Sequence, residues 1–309
     1  MSLSRRQFLE YAAAAGASLG LAACGQALTP QPPAPPTAVP AATLTPPPTP
    51  QPIYVTKIVE ITRIVPPTPT AARTLSPEEK NTMIWYVDIE LPAYVVDPAK
   101  KDNFDQVRAT RTRVLSDIAQ MPAESIQYPQ ITPDLLRAKN VVAIALSGNT
   151  ADWALYDMST FDTLKQIVTS GSLPVIGLCG GHQLLAYMYG GNCGPLRKLK
   201  PGEPDPANWA PGWFKEVGYQ PVKVVQTDPI FAGLEPQPIF FQSHYWQISR
   251  LPQDFELLAS TENCRAQIVK HQQQLVYGTQ FHPEVNSADH RDGRRLLANF
   301  FRMAGLLKD

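Results

Sequence analysis

The sequence predicts an α/β domain whose central sheet is mostly parallel and covered by helices on both faces. Three observations carry that expectation. Continuous apolar runs at 83–87, 141–146 and 175–178 have the length of strands buried on both sides. Segments with helical spacing of apolar residues lie between them, at 104–118, 133–138 and 157–169. Strands that alternate with helices in this way join by crossovers, as parallel neighbours require.

The domain occupies residues 81–309, and two segments of different character precede it. Residues 1–24 read as a twin-arginine-like lipoprotein signal. Arg5-Arg6 stand ahead of a modest apolar segment at 11–23, with Glu10 an unusual charge at its edge. Leu21-Ala22-Ala23-Cys24 has the form of a lipobox, so Cys24 is the expected lipidation site and mature N-terminus. The apolar stretch is too short to span a bilayer comfortably, which makes the lipid the anchor, on the outer face of the cytoplasmic membrane. Residues 25–80 are rich in Pro, Thr, Ala and Gln and hold nearly half of the 32 prolines, the composition of a semi-rigid tether. Within it, Val55-Thr56-Lys57-Ile58-Val59-Glu60 is echoed by Ile61-Thr62-Arg63-Ile64-Val65-Pro66. That repeat suits a strand added to a sheet edge, or equally a stiff piece of linker. Across the chain, 27 basic residues balance 27 acidic ones, which points away from nucleic acid and from strongly charged partners.

Two stretches concentrate the chemistry. Pro174-Val175-Ile176-Gly177-Leu178-Cys179-Gly180-Gly181-His182-Gln183 reads as a strand, a tight turn carrying one Cys, and the start of an apolar helix. A helix that begins near Gly180 aims its free N–H groups at the Cys179 sulfur, an environment that favours the thiolate. Gly177 and Gly181 are expected to clear space for a substrate. The second stretch, Gln280-Phe281-His282-Pro283-Glu284, sets His282 beside Glu284, two residues apart and on one face if the chain is extended. Nucleophile, base and orienting carboxylate are the three parts of a triad.

These two stretches resemble the signatures of class I glutamine amidotransferase domains, in the order found there, and the likeness runs from about Ile84 to about Gly305. The resemblance implies a flavodoxin-like three-layer sandwich with a small additional mixed sheet. It also implies hydrolysis of a γ-glutamyl amide through a thioester on Cys179, with His282 and Glu284 completing the triad. By the same likeness the oxyanion would be held by backbone N–H groups of Gly148 or Asn149 and of Gly180. Here Asn149-Thr150-Ala151 departs from the glycine and proline usual in that loop. Ser243 and His244 would line the glutamine pocket together with Gln183, and Trp246 follows where smaller residues are commoner. For His244 a satisfied structural histidine is an equal alternative.

The segment 198–214, with its prolines and tryptophans, reads as an inserted loop, either a lid or a surface loop over packed aromatics. Residues 217–225 are expected to form strands of the smaller sheet, and 289–307 a closing amphipathic helix. No CxxC pair or HExxH motif occurs, and Cys179-x-x-His182 lacks a second half, so neither metal nor other cofactor is expected. Cys193 and Cys264 remain, and the sequence leaves a disulfide between them open.

On this reading the substrate is a small γ-glutamyl compound, and the export segment favours a free-standing hydrolase. Two alternatives stand beside it: a non-catalytic binding lipoprotein on the same fold, and an ammonia-supplying chain that serves a separate synthetase. No protein partner is readable.

Overall fold

The structure, a computed structural model, describes residues 82–307. The expected signal with Cys24, the tether and its echoed repeat lie outside the described residues.

The strands are β1 (Met83–Asp88), β2 (Ala123–Gln127), β3 (Val141–Leu146), β4 (Val175–Leu178), β5 (Asn192–Pro195), β6 (Glu216–Pro221), β7 (Lys223–Val224), β8 (Ile239–His244), β9 (Trp246–Arg250), β10 (Phe255–Ser260), β11 (Ile268–His271) and β12 (Val276–Thr279). The helices are α1 (Pro92–Val95), α2 (Lys101–Ala119), α3 (Pro133–Ala138), α4 (Asp162–Thr169), α5 (Gly180–Met188) and α6 (Asp292–Met303). Eight strands form one sheet in the order β2-β1-β3-β4-β12-β11-β10-β7. From β2 to β12 all neighbours are parallel, and from β12 to β7 they are antiparallel.

Alternation along the strands supplies both faces with apolar side chains. Trp85, Val87, Ile144 and Leu146 pack on one side with Leu164 and Val168 of α4 and Leu184 and Leu185 of α5. Ile84, Tyr86, Ala143 and Ala145 pack on the other with Leu115 and Ile118 of α2 and Leu296, Leu297, Phe300 and Phe301 of α6. The result is the three-layer sandwich expected, with the carboxyl ends of β1, β3, β4 and β12 along one rim.

Several details differ from the sequence reading. β2 has no counterpart in the apolar pattern: only Ala123 and Ile126 of its five residues are apolar and none is fully buried, because it is the edge of the sheet and pairs only with β1. The helix expected over 157–169 divides, because Asp157 caps a 3-10 turn at Met158–Phe161 before α4 begins. The additional sheet is not one mixed sheet but two antiparallel pairs, β5 with β9 and β6 with β8. Pro221 ends β6, and after Val222 the chain crosses to the edge of the main sheet as β7.

α6 contributes four fully buried side chains to its layer. Replacing Phe300 with Ala is expected to lower unfolding free energy by about 3–5 kcal/mol, measured by denaturant titration of the full chain.

Candidate active site

Cys179 follows β4 directly and takes φ +51 and ψ −103, a conformation that strains any residue with a side chain. Backbone hydrogen bonds hold it there. Its N–H donates to the Thr279 carbonyl at 2.7 Å, its carbonyl accepts from Gln183 N–H at 3.1 Å, and Gly181 N–H donates to the Ser147 carbonyl at 2.8 Å. The flanking glycines serve this close approach rather than substrate space. A Cβ on Gly177 would lie 2.6 Å from the Gly181 backbone, and one on Gly181 would lie 2.6 Å from the Leu146 carbonyl oxygen. They let α5 rest directly on β3 and β4.

All three described cysteines are free thiols. Cys193 donates to the Gln183 carbonyl at 3.5 Å and Cys264 to the Ala266 carbonyl at 3.7 Å, so the disulfide left open between them does not form. Burial pushes the Cys193 thiol up to about 12 and holds the Cys264 thiol well above its ordinary range. Cys179 differs in setting: it lines a cavity at the rim of the sheet, together with Gly148, Asn149, Ser243, His282 and Glu284.

The extended geometry expected for 282–284 is replaced by a turn. β12 stops at Thr279, His282 bridges to Phe241, and Val285 N–H donates to the His282 carbonyl at 3.1 Å. Pro283 occupies the second position of that turn, where its fixed φ fits. The turn brings Glu284 back under the ring, and His282 Nδ1 meets Glu284 Oε1 at 2.8 Å. Burial opposes a charge on His282, but the Glu284 carboxylate and the Cys179 sulfur outweigh it and raise the imidazole well above its ordinary value. Burial likewise opposes ionisation of Glu284, and His282 together with Arg111, whose Nε lies 3.8 Å from Oε1, overcomes it and lowers the carboxyl. Nδ1 is therefore committed to the carboxylate, and Nε2 is the nitrogen free to serve Cys179.

Across the cavity, Ser147, Gly148 and Asn149 form the loop at the end of β3. Gly148 is packed tightly, since a Cβ there would lie 3.2 Å from His282 Cε1 and 3.6 Å from Cys179 Cβ. Among the described residues, the backbone N–H groups of Gly148, Asn149 and Gly180 have no hydrogen-bond partner. Gly180 does not line the cavity; it lies behind Asn149, whose Oδ1 occupies the space a Cβ at 180 would need.

Gln183 reaches the cavity with both ends of its amide engaged. Trp153 Nε1 donates to its Oε1 at 2.7 Å, and its Nε2 donates to Gln280 Oε1 at 3.1 Å. Gln280 Nε2 in turn lies 3.7 Å from the Cys179 sulfur, a contact visible only in the folded chain. The Ser243 carbonyl lies 4.0 Å from that sulfur. His244 lines the cavity, and its ring nitrogens are taken up by the Trp246 carbonyl at 2.8 Å, Glu216 Oε2 at 3.0 Å and Gln242 Oε1 at 3.1 Å, as a satisfied structural histidine would be. Glu216, His244 and Cys264 bring metal-ligating atoms within 4.8 Å of one another. Their polar atoms are already taken up, with Thr261 and Gln267 bonding Glu216 at 2.6 Å each, which makes the cluster a closed hydrogen-bond network. His182 is fully buried, and burial pushes its imidazole down to about 3, so it is a neutral packing residue. The loop 198–214 contributes Trp209 to the cavity wall, where its ring faces Tyr245 at 5.9 Å.

The sequence matches the family described as glutamine amidotransferase class-I over residues 101–304. It is 29% identical over 196 residues to a glutamine-hydrolyzing GMP synthase subunit of Pyrococcus abyssi, covering 63% of this chain and 93% of that one. It is 33% identical over 187 residues to the glutamine-hydrolyzing GMP synthase of Clostridium novyi, covering 60% of this chain but 32% of that longer one. Among solved structures it resembles a Thermoplasma acidophilum protein provisionally named as a GMP synthase subunit. The TM-score is 0.53 at 22% identity, over 72% of this chain and 94% of that one, a likeness of fold.

Because the His282 value is raised, the charged pair is complete below the ordinary histidine value of 6.5 and is lost only as pH climbs through the higher folded value. Replacing Glu284 with Gln is expected to lower the His282 titration midpoint by about one to three pH units, read from its imidazole NMR signals.

Proposed function

The chain belongs to the glutamine amidotransferase class-I family, and from that premise we propose that it hydrolyses the side-chain amide of glutamine through a thioester on Cys179 and supplies the ammonia to a separate synthetase chain. The observation that carries the chemistry is a cysteine at φ +51 sharing one cavity with a carboxylate-bound imidazole. In the proposed cycle the Cys179 proton already rests on His282 Nε2, whose imidazolium is held by Glu284, and the sulfur attacks the amide carbon. Charge builds on the carbonyl oxygen, where the unpartnered N–H groups of Gly148 and Asn149 supply donors. His282 then gives its proton to the departing nitrogen as the C–N bond breaks and the thioester remains. Water, deprotonated by His282, cleaves that thioester to release glutamate. Glu284 keeps Nδ1 protonated throughout and balances the imidazolium. The Ser243 backbone and His244 line the same cavity and are proposed to receive the amino-acid end of the substrate.

Supply of ammonia to a partner draws its support from the relatives. The Pyrococcus abyssi protein is named as one subunit of a glutamine-hydrolysing synthase, and the match spans 93% of it. A second reading is favoured by residues 1–24: an exported, Cys24-lipidated γ-glutamyl hydrolase acting alone on the outer face of the membrane. Among the described residues no helix is long and apolar enough to cross a membrane.

Replacing Cys179 with Ala is expected to reduce glutamate release from glutamine by about 10³-fold or more, assayed on the full chain. Release at the wild-type rate would refute the nucleophile. The same assay across a panel of γ-glutamyl peptides separates the two readings: the ammonia supplier turns over glutamine in preference to peptides, and the lone hydrolase does not. Mass spectrometry of the chain from its native host gives an independent answer. Ammonia supply to a synthetase in the cytosol predicts residues 1–23 still attached, and export predicts a mature chain that begins at a lipid-modified Cys24.

A further inference from the structure

The loop proposed to hold the oxyanion lacks the residues usual in the family, and the structure supplies a replacement. Glu90, in the connection after β1, is buried with 3% of its surface exposed. Its carboxylate accepts from five donors. Oε2 takes Thr150 N–H at 2.6 Å and the Thr150 hydroxyl at 2.7 Å. Oε1 takes Leu91 N–H at 2.9 Å, Ala151 N–H at 3.2 Å and the Tyr156 hydroxyl at 3.3 Å. Three of the five come from Thr150 and Ala151, the two residues that follow Gly148-Asn149.

The rest of the loop is tied to the same connection. Ile89 N–H donates to Ser147 Oγ at 2.9 Å, and that hydroxyl donates to the Gly148 carbonyl at 2.7 Å. Asn149 closes the loop on itself, its Nδ2 donating to the Ala151 carbonyl at 2.7 Å. A loop without proline has more freedom to lose, and a buried carboxylate saturated by its N–H groups removes that freedom by another means.

We propose that Glu90 is a positioning residue for catalysis, fixing through Thr150 and Ala151 the Gly148 and Asn149 N–H groups that meet the transition-state oxyanion. The inference rests on the amide-hydrolysis reading above. Glu90 acts through the loop, so its loss should weaken binding of the tetrahedral state more than binding of ground-state glutamine. In Glu90→Gln one acceptor oxygen becomes an NH₂ donor facing other donors, which displaces the loop.

The test compares wild type with Glu90→Gln and Thr150→Val in the full chain. Readouts are kcat, KM for glutamine, thermal midpoint, and affinity for glutamate γ-semialdehyde, which adds to the Cys179 thiol and places an oxyanion in the site. Glu90→Gln is expected to lose about 10²-fold in kcat, with KM within about threefold and aldehyde affinity falling in parallel with kcat/KM. Thr150→Val, which loses only the hydroxyl bond, is expected to keep its thermal midpoint and show a smaller loss of the same kind. It carries the test if Glu90→Gln fails to fold. Wild-type kcat and aldehyde affinity in a folded Glu90→Gln, or in Thr150→Val when that variant alone folds, would overturn the inference and leave amide hydrolysis standing. So would a rise in KM with aldehyde affinity unchanged. A wild-type chain that neither releases glutamate nor binds the aldehyde would overturn both.

Discussion

Cys179 occupies a backbone conformation that costs energy, and the packing around the turn is arranged so that no relaxed alternative is open. Relaxing its φ of +51 would pull its N–H away from Thr279 and its carbonyl away from Gln183. It would also break the contact in which Gly181 lies against the Leu146 carbonyl. Strand β4 is central, with parallel partners β3 and β12 on either side, so it cannot shift to relieve the turn. The strain is thus borne by the most deeply buried part of the sheet, and the side chain it projects is held at the rim.

Electrostatics at the rim separates one thiol from the other two. Burial raises the thiols of Cys193 and Cys264, with the neighbouring Glu216 carboxylate adding to it for Cys264, and each is turned to a carbonyl. Cys179 faces an imidazole whose other nitrogen is held by a buried carboxylate. The second oxygen of that carboxylate has no hydrogen bond among the described residues, so its pull is directed to the ring and, more weakly, to Arg111. Proline in the 282–285 turn fixes this arrangement by geometry rather than by strand periodicity.

The far wall of the cavity shows how one loop can depart from a family pattern without losing its place. Asn149 fills the space above Gly180, and Glu90 gathers the amides that follow. The aromatic groups Trp153, Trp209 and Tyr245 enclose the opening, and Trp153 also braces Gln183. Residues from β1, the loop after β3, α5, the 198–214 loop and the β8–β9 connection therefore converge on one volume.

Much of this was readable from residue order alone. Apolar runs such as 141–146 and 175–178 are buried on both faces, so they carry a strong local signal, and the structure returns them unchanged. The strand–turn–helix around Cys179 was equally legible, because it is a local construction, whereas the pairing of His282 with Glu284 was expected from extended chain and is made instead by a turn. Three-dimensional packing decided the rest. β2 is an edge with one neighbour and only two apolar residues, and its identity comes from β1 rather than from its own residues. Glu90 and Gln280 acquire their contacts from segments 60 and 101 positions away, a relation that no periodicity encodes. What a short stretch can bury or bend is written in that stretch, whereas which distant donors a buried carboxylate will meet is fixed only when the layers close.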